Sequence, residues 1–132
     1  MMTEDYVSFE TAKLLKDKGF DEFTFSNYNE NGIVQFTEVE TRVAKGYQRP
    51  TLQMTMKWLL KKYNIFICIL YIEDLDGFGY TIEDVVNKKC IASSGDSSYK
   101  EPEQAYEAAI KYCLENFILN KILNNYDKDM RR

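Results

Sequence analysis

Between Ile65 and Ile72 the chain runs through eight consecutive apolar residues, Ile-Phe-Ile-Cys-Ile-Leu-Tyr-Ile, and stops at the acidic Glu73-Asp74. This run is too short to cross a bilayer as a helix, and Ile, Phe and Tyr suit a pleated surface, so it predicts the central strand of a sheet. A strand apolar on both faces needs cover twice. The protein's helices can supply one side, and a second layer or a partner subunit the other.

A different period flanks it. Leu52, Met56, Leu59 and Tyr63 recur at helical spacing and define a buried stripe, with Met54 and Trp58 as a second apolar line and Lys57, Lys61 and Lys62 on the far side. Pro50 or Thr51 caps this helix, and Asn64 closes it before the strand. An earlier helix is expected at 9–18, with Ser8 as N-cap and Glu10 in the first turn. Gly19 takes the left-handed position after it, so that Phe20 folds back on Leu15. The last helix starts near Glu101, with Pro102 in its first turn. It buries Tyr106, Ala109, Ile110, Cys113, Leu114 and Phe117, carries a Glu107 to Lys111 pair, and continues through Leu119, Ile122 and Leu123.

Between the first two helices, Phe23-Thr24-Phe25 and Ile33 to Val39 read as strands joined through Asn31-Gly32, a type I′ hairpin signal. The stretch Glu40 to Arg49 has no period and reads as a mobile loop. After the apolar run, Asp74-Leu75-Asp76-Gly77 reads as a tight hairpin turn, Phe78 to Glu83 as an alternating strand, and Asp84 to Lys89 as a connection. A short strand follows at Cys90 to Ser93, then a loop at 94–98. The order α-β-β-α-β-β-β-α predicts an α+β fold, with an antiparallel sheet of four to five strands and helices packed on one face. Residues 1–126 read as a single domain and 127–132 as a frayed tail.

Composition narrows the chemistry. The chain has 132 residues, 45% of them hydrophobic, and a net charge of −4 spread along its length, so neither disorder nor a dense nucleic-acid-like charge is indicated. It contains no histidine, which removes the commonest general base and metal ligand. The N-terminus is acidic, without the basic start and apolar core of a signal peptide. The three cysteines, Cys68, Cys90 and Cys113, are widely spaced in apolar contexts. Both features point to buried free thiols in a cytoplasmic protein.

The carboxylates Glu73, Asp74, Asp76, Glu83 and Asp84 are the best remaining catalytic or metal candidates, since a hairpin could gather them. Asp74 and Asp76 nevertheless lack the distal glutamate of a calcium hand, because Val85 stands eleven residues past Asp74. Turn chemistry alone accounts for Asp76-Gly77. No glycine-rich phosphate loop occurs, and no cofactor is implied.

Lys57, Lys61 and Lys62, with Lys88 and Lys89, are candidates for a nucleic-acid surface. From residue 51 the order helix, three strands, helix is also that of the double-stranded-RNA-binding domain, but here the last helix opens with Glu101-Pro102-Glu103-Gln104, which repels phosphate. Ten tyrosines, among them Tyr28, Tyr47, Tyr80 and Tyr99 in or near loops and strand faces, suit a protein interface as well as a sheet.

Three stretches carry a resemblance: Ser8 to Phe20, Pro50 to Leu59, and Ala105 to Leu114. Together they resemble small proteins of unknown function carried by phages, prophages and mobile elements of gut bacteria. That likeness implies a cytoplasmic accessory protein of a mobile element and brings no site residues with it. The expectation is therefore a non-enzymatic interaction protein, a homodimer that binds a host or phage protein, with neither catalytic residue nor membrane partner. The alternative is nucleic-acid binding through Lys57, Lys61 and Lys62.

Overall fold

The computed structural model describes residues 5–43 and 45–118. The expected continuation of the last helix through Leu119, Ile122 and Leu123, and the tail at 127–132, lie outside the described residues. The fold is α+β. Among the described residues three α-helices, α1 (Phe9–Asp17), α2 (Leu52–Tyr63) and α3 (Pro102–Asn116), accompany six strands. These are β1 (Thr24–Tyr28), β2 (Val34–Thr41), β3 (Tyr47–Gln48), β4 (Ile65–Ile72), β5 (Gly77–Asp84) and β6 (Lys89–Ser93).

The strands fall into two antiparallel three-stranded sheets, β2-β1-β3 and β4-β5-β6, in place of a single sheet of four or five. The difference arises in the stretch read as a loop. Its start completes β2, and its end forms β3, which pairs with β1 through Asn27–Gln48 and Tyr28–Tyr47. Gly46, at φ +100°, makes that approach possible, because a Cβ there would collide with the Tyr28 carbonyl oxygen.

The described residues divide into two compact units. One comprises 5–6 and 51–110, the other 7–43, 45–50 and 111–118.

In the first unit, Thr51 is the N-cap of α2 and its hydroxyl accepts from the Met54 N–H at 3.1 Å, while Asn64, at φ 58°, ends the helix. Leu52 and Leu59 are buried as expected. Thr55 and Trp58 complete the buried arc where Met56 and Tyr63 are only half-buried. Thr55 can occupy the core because its hydroxyl donates to the Thr51 carbonyl at 2.9 Å. The expected central strand β4 is an edge. Hairpins on both sides of β5 make β5 the middle of a meander, paired with β4 from Ile65–Asp84 to Ile72–Gly77 and with β6 beyond. Ile65, Ile67, Tyr80 and Ile82 are buried, and so are Ala105, Ala109 and Ile110 of α3.

Both hairpins of this meander use four-residue loops, Glu73 to Asp76 and Val85 to Lys88, with the fourth residue left-handed. Asp76 sits at φ 46° and Lys88 at φ 56°. The first loop is a 3₁₀ turn over Glu73–Leu75, so Asp76 rather than Gly77 carries the positive φ.

In the second unit α1 closes as the sequence predicts. Ser8 caps it by accepting from the Thr11 N–H, Gly19 is left-handed at φ 90°, and the Phe20 N–H bonds the Leu15 carbonyl at 2.9 Å. The β1–β2 turn differs from the two-residue type I′ form. Asn29 Oδ1 accepts from the Asn31 and Ile33 N–H groups at 2.8 and 3.0 Å, and this draws Glu30-Asn31-Gly32 into a three-residue loop with positive φ at Gly32. Cys113, Leu114 and Ile118 are buried here, whereas Phe117 is exposed.

Candidate functional site

The β2-β1-β3 sheet reverses the usual division between inside and outside. Thr24, Ser26, Asn27 and Gln48 are buried, while Phe23, Phe25 and Phe36 lie open, Phe36 at 67% exposure and Phe25 at 51%. The buried side chains of Thr24 and Gln48 bond each other and nearby backbone groups. Gln48 Nε2 donates to Thr24 Oγ1 at 2.8 Å and to the Thr41 carbonyl at 2.7 Å, and Gln48 Oε1 accepts from the Val43 N–H at 2.6 Å. Thr24 Oγ1 donates in turn to the Ser26 carbonyl at 2.6 Å.

This network ties Thr41, Val43 and Gln48 to Thr24 of β1, where β2 gains residues relative to β1 between Ser26–Phe36 and Thr24–Thr41. Cations stand over rings of this sheet, both the exposed Phe23 and Phe36 and the buried Tyr28. The Arg49 guanidinium is 5.5 Å from the centroids of both Tyr28 and Phe36 and donates from Nη1 to Ser26 Oγ at 3.0 Å; that of Arg42 is 4.6 Å from Phe23. Exposed aromatics beside arginine are a composition favoured in protein interfaces. The signal was present in the sequence as Phe23-Thr24-Phe25-Ser26, an alternation whose polar members turn inward.

A second apolar surface lies on β4. Phe66, Cys68 and Leu70 share one face, with Phe66 47% and Leu70 44% exposed and Cys68 half-buried. Tyr71, on the other face, donates its hydroxyl hydrogen to Asp76 Oδ1 at 2.7 Å, and this bond raises the Tyr71 pKa.

The carboxylates are not gathered. Glu73, Asp74 and Asp76 occupy the β4–β5 loop, whereas Glu83 and Asp84 pair with Phe66 and Ile65 at the opposite end of the hairpin. Antiparallel strands bring together only residues level with each other, and these are most of a strand apart. Asp84 instead organises its own loop. Its Oδ1 accepts from the N–H groups of Val86 and Asn87 and its Oδ2 from the Asn87 side chain, bonds that lower its pKa. Among the described residues no three acidic or thiol side chains come close enough to hold a metal.

Lys57, Lys61 and Lys62 are all exposed on α2, and Lys62 Nζ lies 5.8 Å from the Trp58 ring. None of the three is in an ion pair among the described residues. The tyrosines separate by role: Tyr28 and Tyr80 are buried, with the Tyr28 hydroxyl donating to the Val7 carbonyl at 2.6 Å, while Tyr47 and Tyr99 are half-buried. The exposed aromatic surface is mainly phenylalanine instead. The cysteines are free, but only Cys113 is fully buried, and burial pushes its thiol up to about 12; Cys90 is exposed at the edge of its sheet.

A cavity of about 250 Å³ in the second unit is lined by Leu15, Phe20 and Val43 with Lys16, Arg42 and Gln48 at its polar side. No described helix is long and apolar enough to cross a membrane. No protein-family model, curated protein or solved structure matches the chain.

Proposed function

We propose that this is a non-enzymatic accessory protein of a phage or mobile element, cytoplasmic and homodimeric, whose work is to bind a host or phage protein. The observation that carries the reading is the inverted β1–β2 ribbon. A sheet that buries Thr24, Ser26 and Gln48 and leaves Phe25 and Phe36 in solvent forgoes burial of its most apolar residues. An exposed aromatic face rimmed by arginine suits a partner surface. In this reading the helices cover one face of each sheet, the face that in the first unit holds Ile67 and Ile82, and leave apolar surface for partners.

The test is capture from bacterial lysate by the tagged full-length chain, with and without nuclease, set against a Phe25→Ser/Phe36→Ser variant and a tag-only control. A nuclease-resistant protein lost from the variant supports the reading. Equal capture by the variant removes the ribbon from the interface, and capture that disappears with nuclease favours nucleic acid.

That second reading keeps one specific support: the exposed, acid-free lysine face of α2, with Lys57, Lys61 and Lys62. Under it, reversing all three charges abolishes a salt-sensitive mobility shift with duplex or single-stranded RNA.

A further inference from the structure

Among the described residues β4 pairs on one side only, with β5. Three hydrogen bonds fix which of its backbone groups are left over. The Phe78 N–H and C=O both bond Tyr99, and the Tyr80 carbonyl accepts from the Ser94 N–H, so the even-numbered residues of β5 turn away from β4. The Val85 N–H meanwhile bonds the Asn64 carbonyl, which places the odd-numbered residues toward β4. In the register Ile65–Asp84 to Ile72–Gly77, Phe66, Cys68, Leu70 and Ile72 therefore bond β5, and Ile65, Ile67, Ile69 and Tyr71 present N–H and C=O groups to the open edge.

Nothing in β4 discourages pairing at that edge. It is a full eight residues, with no charge, proline or bulge. Its flanks carry opposite charges: Lys61 and Lys62 precede it, and Glu73 and Asp74 follow it. An antiparallel copy of the same strand brings the basic end of each chain to the acidic end of the other, twice. An isologous contact has this property by symmetry.

We propose that a second copy of this chain adds its β4 antiparallel to the first and joins two three-stranded sheets into one of six. Two-fold symmetry pairs residues of like parity. The register centred on Cys68, the middle of the run from Lys62 to Asp74, pairs Phe66 with Leu70, Ile67 with Ile69 and Ile65 with Tyr71, and brings the two copies of Cys68 face to face on the axis. Ile67 and Ile69 then exchange backbone hydrogen bonds, while Cys68 occupies a non-hydrogen-bonded position. At such a position the Cα atoms lie about 4.5 Å apart, inside the range a disulfide accepts. The inference rests on the homodimeric reading above and specifies its surface.

The test uses the full-length chain with Cys90→Ser, so that the exposed thiol does not compete. Sedimentation velocity gives the oligomeric state. Treatment with diamide, which takes up the two electrons and two protons released by paired thiols, is then read on a non-reducing gel. The expected result is a dimer that becomes covalent on oxidation and loses the cross-link, but not the association, on Cys68→Ser. Leu70→Lys is expected to weaken association by at least about tenfold with the fold retained, since it sets a charge against Phe66 of the second copy. Lys62→Glu weakens it too, and adding Asp74→Lys restores it.

A dimer that does not cross-link and is indifferent to Leu70→Lys overturns the β4 contact and leaves the homodimeric reading in place. A monomer at every concentration up to hundreds of micromolar ends both.

Discussion

Gln48 Nε2 donates to Thr24 Oγ1 at 2.8 Å, joining two side chains 24 residues apart that are both buried in a sheet whose phenylalanines face water. Gln48 also satisfies the Val43 N–H and the Thr41 carbonyl, backbone groups in a stretch with no helix to serve them. Gln48→Met keeps the volume and removes these bonds. It is expected to destabilise the chain by about 2–3 kcal/mol, the cost of stranding buried polar groups. Urea denaturation measures it, and an unshifted midpoint would show that the network contributes nothing.

The inverted ribbon makes a paired prediction. Phe36→Ser alters a side chain 67% exposed and is expected to change stability by no more than about 0.5 kcal/mol, the usual range for surface substitutions. Ile82→Ala empties a fully buried position and is expected to cost about 2–5 kcal/mol. Comparable losses from the two would place Phe36 in the core.

Lys88 holds φ 56° at the end of the β5–β6 loop without the glycine that conformation favours. Lys88→Gly removes the Cβ strain and is expected to raise stability by about 0.5–1 kcal/mol. Lys88→Ala, which leaves the strain in place, is the control. Thermal melts of the pair suffice, and the idea fails if glycine and alanine behave alike.

Acid sensitivity has identifiable sources. The Lys111 ammonium, 2.6 Å from Glu10 Oε1, and the Asn87 amide groups on Asp84 hold both carboxyls below their ordinary values. Because the folded pKa values are depressed, the stabilisation they give is complete above the unfolded carboxylate range, about pH 4, and is lost as pH falls through the folded values. Melting temperature measured from about pH 6 downward is expected to hold and then drop below about pH 4. Glu10→Gln with Asp84→Asn should flatten that drop, and an unchanged acid limb would assign it to other groups.

Much of the fold could be read from local signals. The caps at Ser8 and Thr51, the close of α1 at Gly19 and Phe20, and the succession along the chain of three strands after α2 all depend on residues within a few positions of one another, where spacing and turn chemistry decide. What could not be read was set by distant pairing. β3 exists because Tyr47 and Gln48 meet Tyr28 and Asn27, some twenty residues back, and no periodicity in Glu40 to Arg49 announces it. The place of β4 in its sheet is hidden for a related reason. An apolar run indicates that a strand wants burial on both faces, but its rank in the sheet is set by which strand carries a hairpin at each end, and that is β5. The candidate surface is hidden from the sequence because hydrophobicity ordinarily marks the interior, and the side-chain partners of Thr24 and Ser26, Gln48 and Arg49, lie more than twenty residues along the chain.

The two compact units are interleaved along the polypeptide. Asp5 and Tyr6 belong with 51–110, where the Asp5 carbonyl accepts from the Leu52 N–H at 2.9 Å and Tyr6 bridges Thr51. Residues 7–43 and 45–50 belong with 111–118, which include the buried Cys113 and Leu114 of the closing turns of α3. A single cut between residues 50 and 51 therefore releases neither unit whole. During synthesis the first-made strands of the second unit therefore emerge well before residues 111–118 of the same unit, and that unit stays incomplete on the ribosome until those later residues follow.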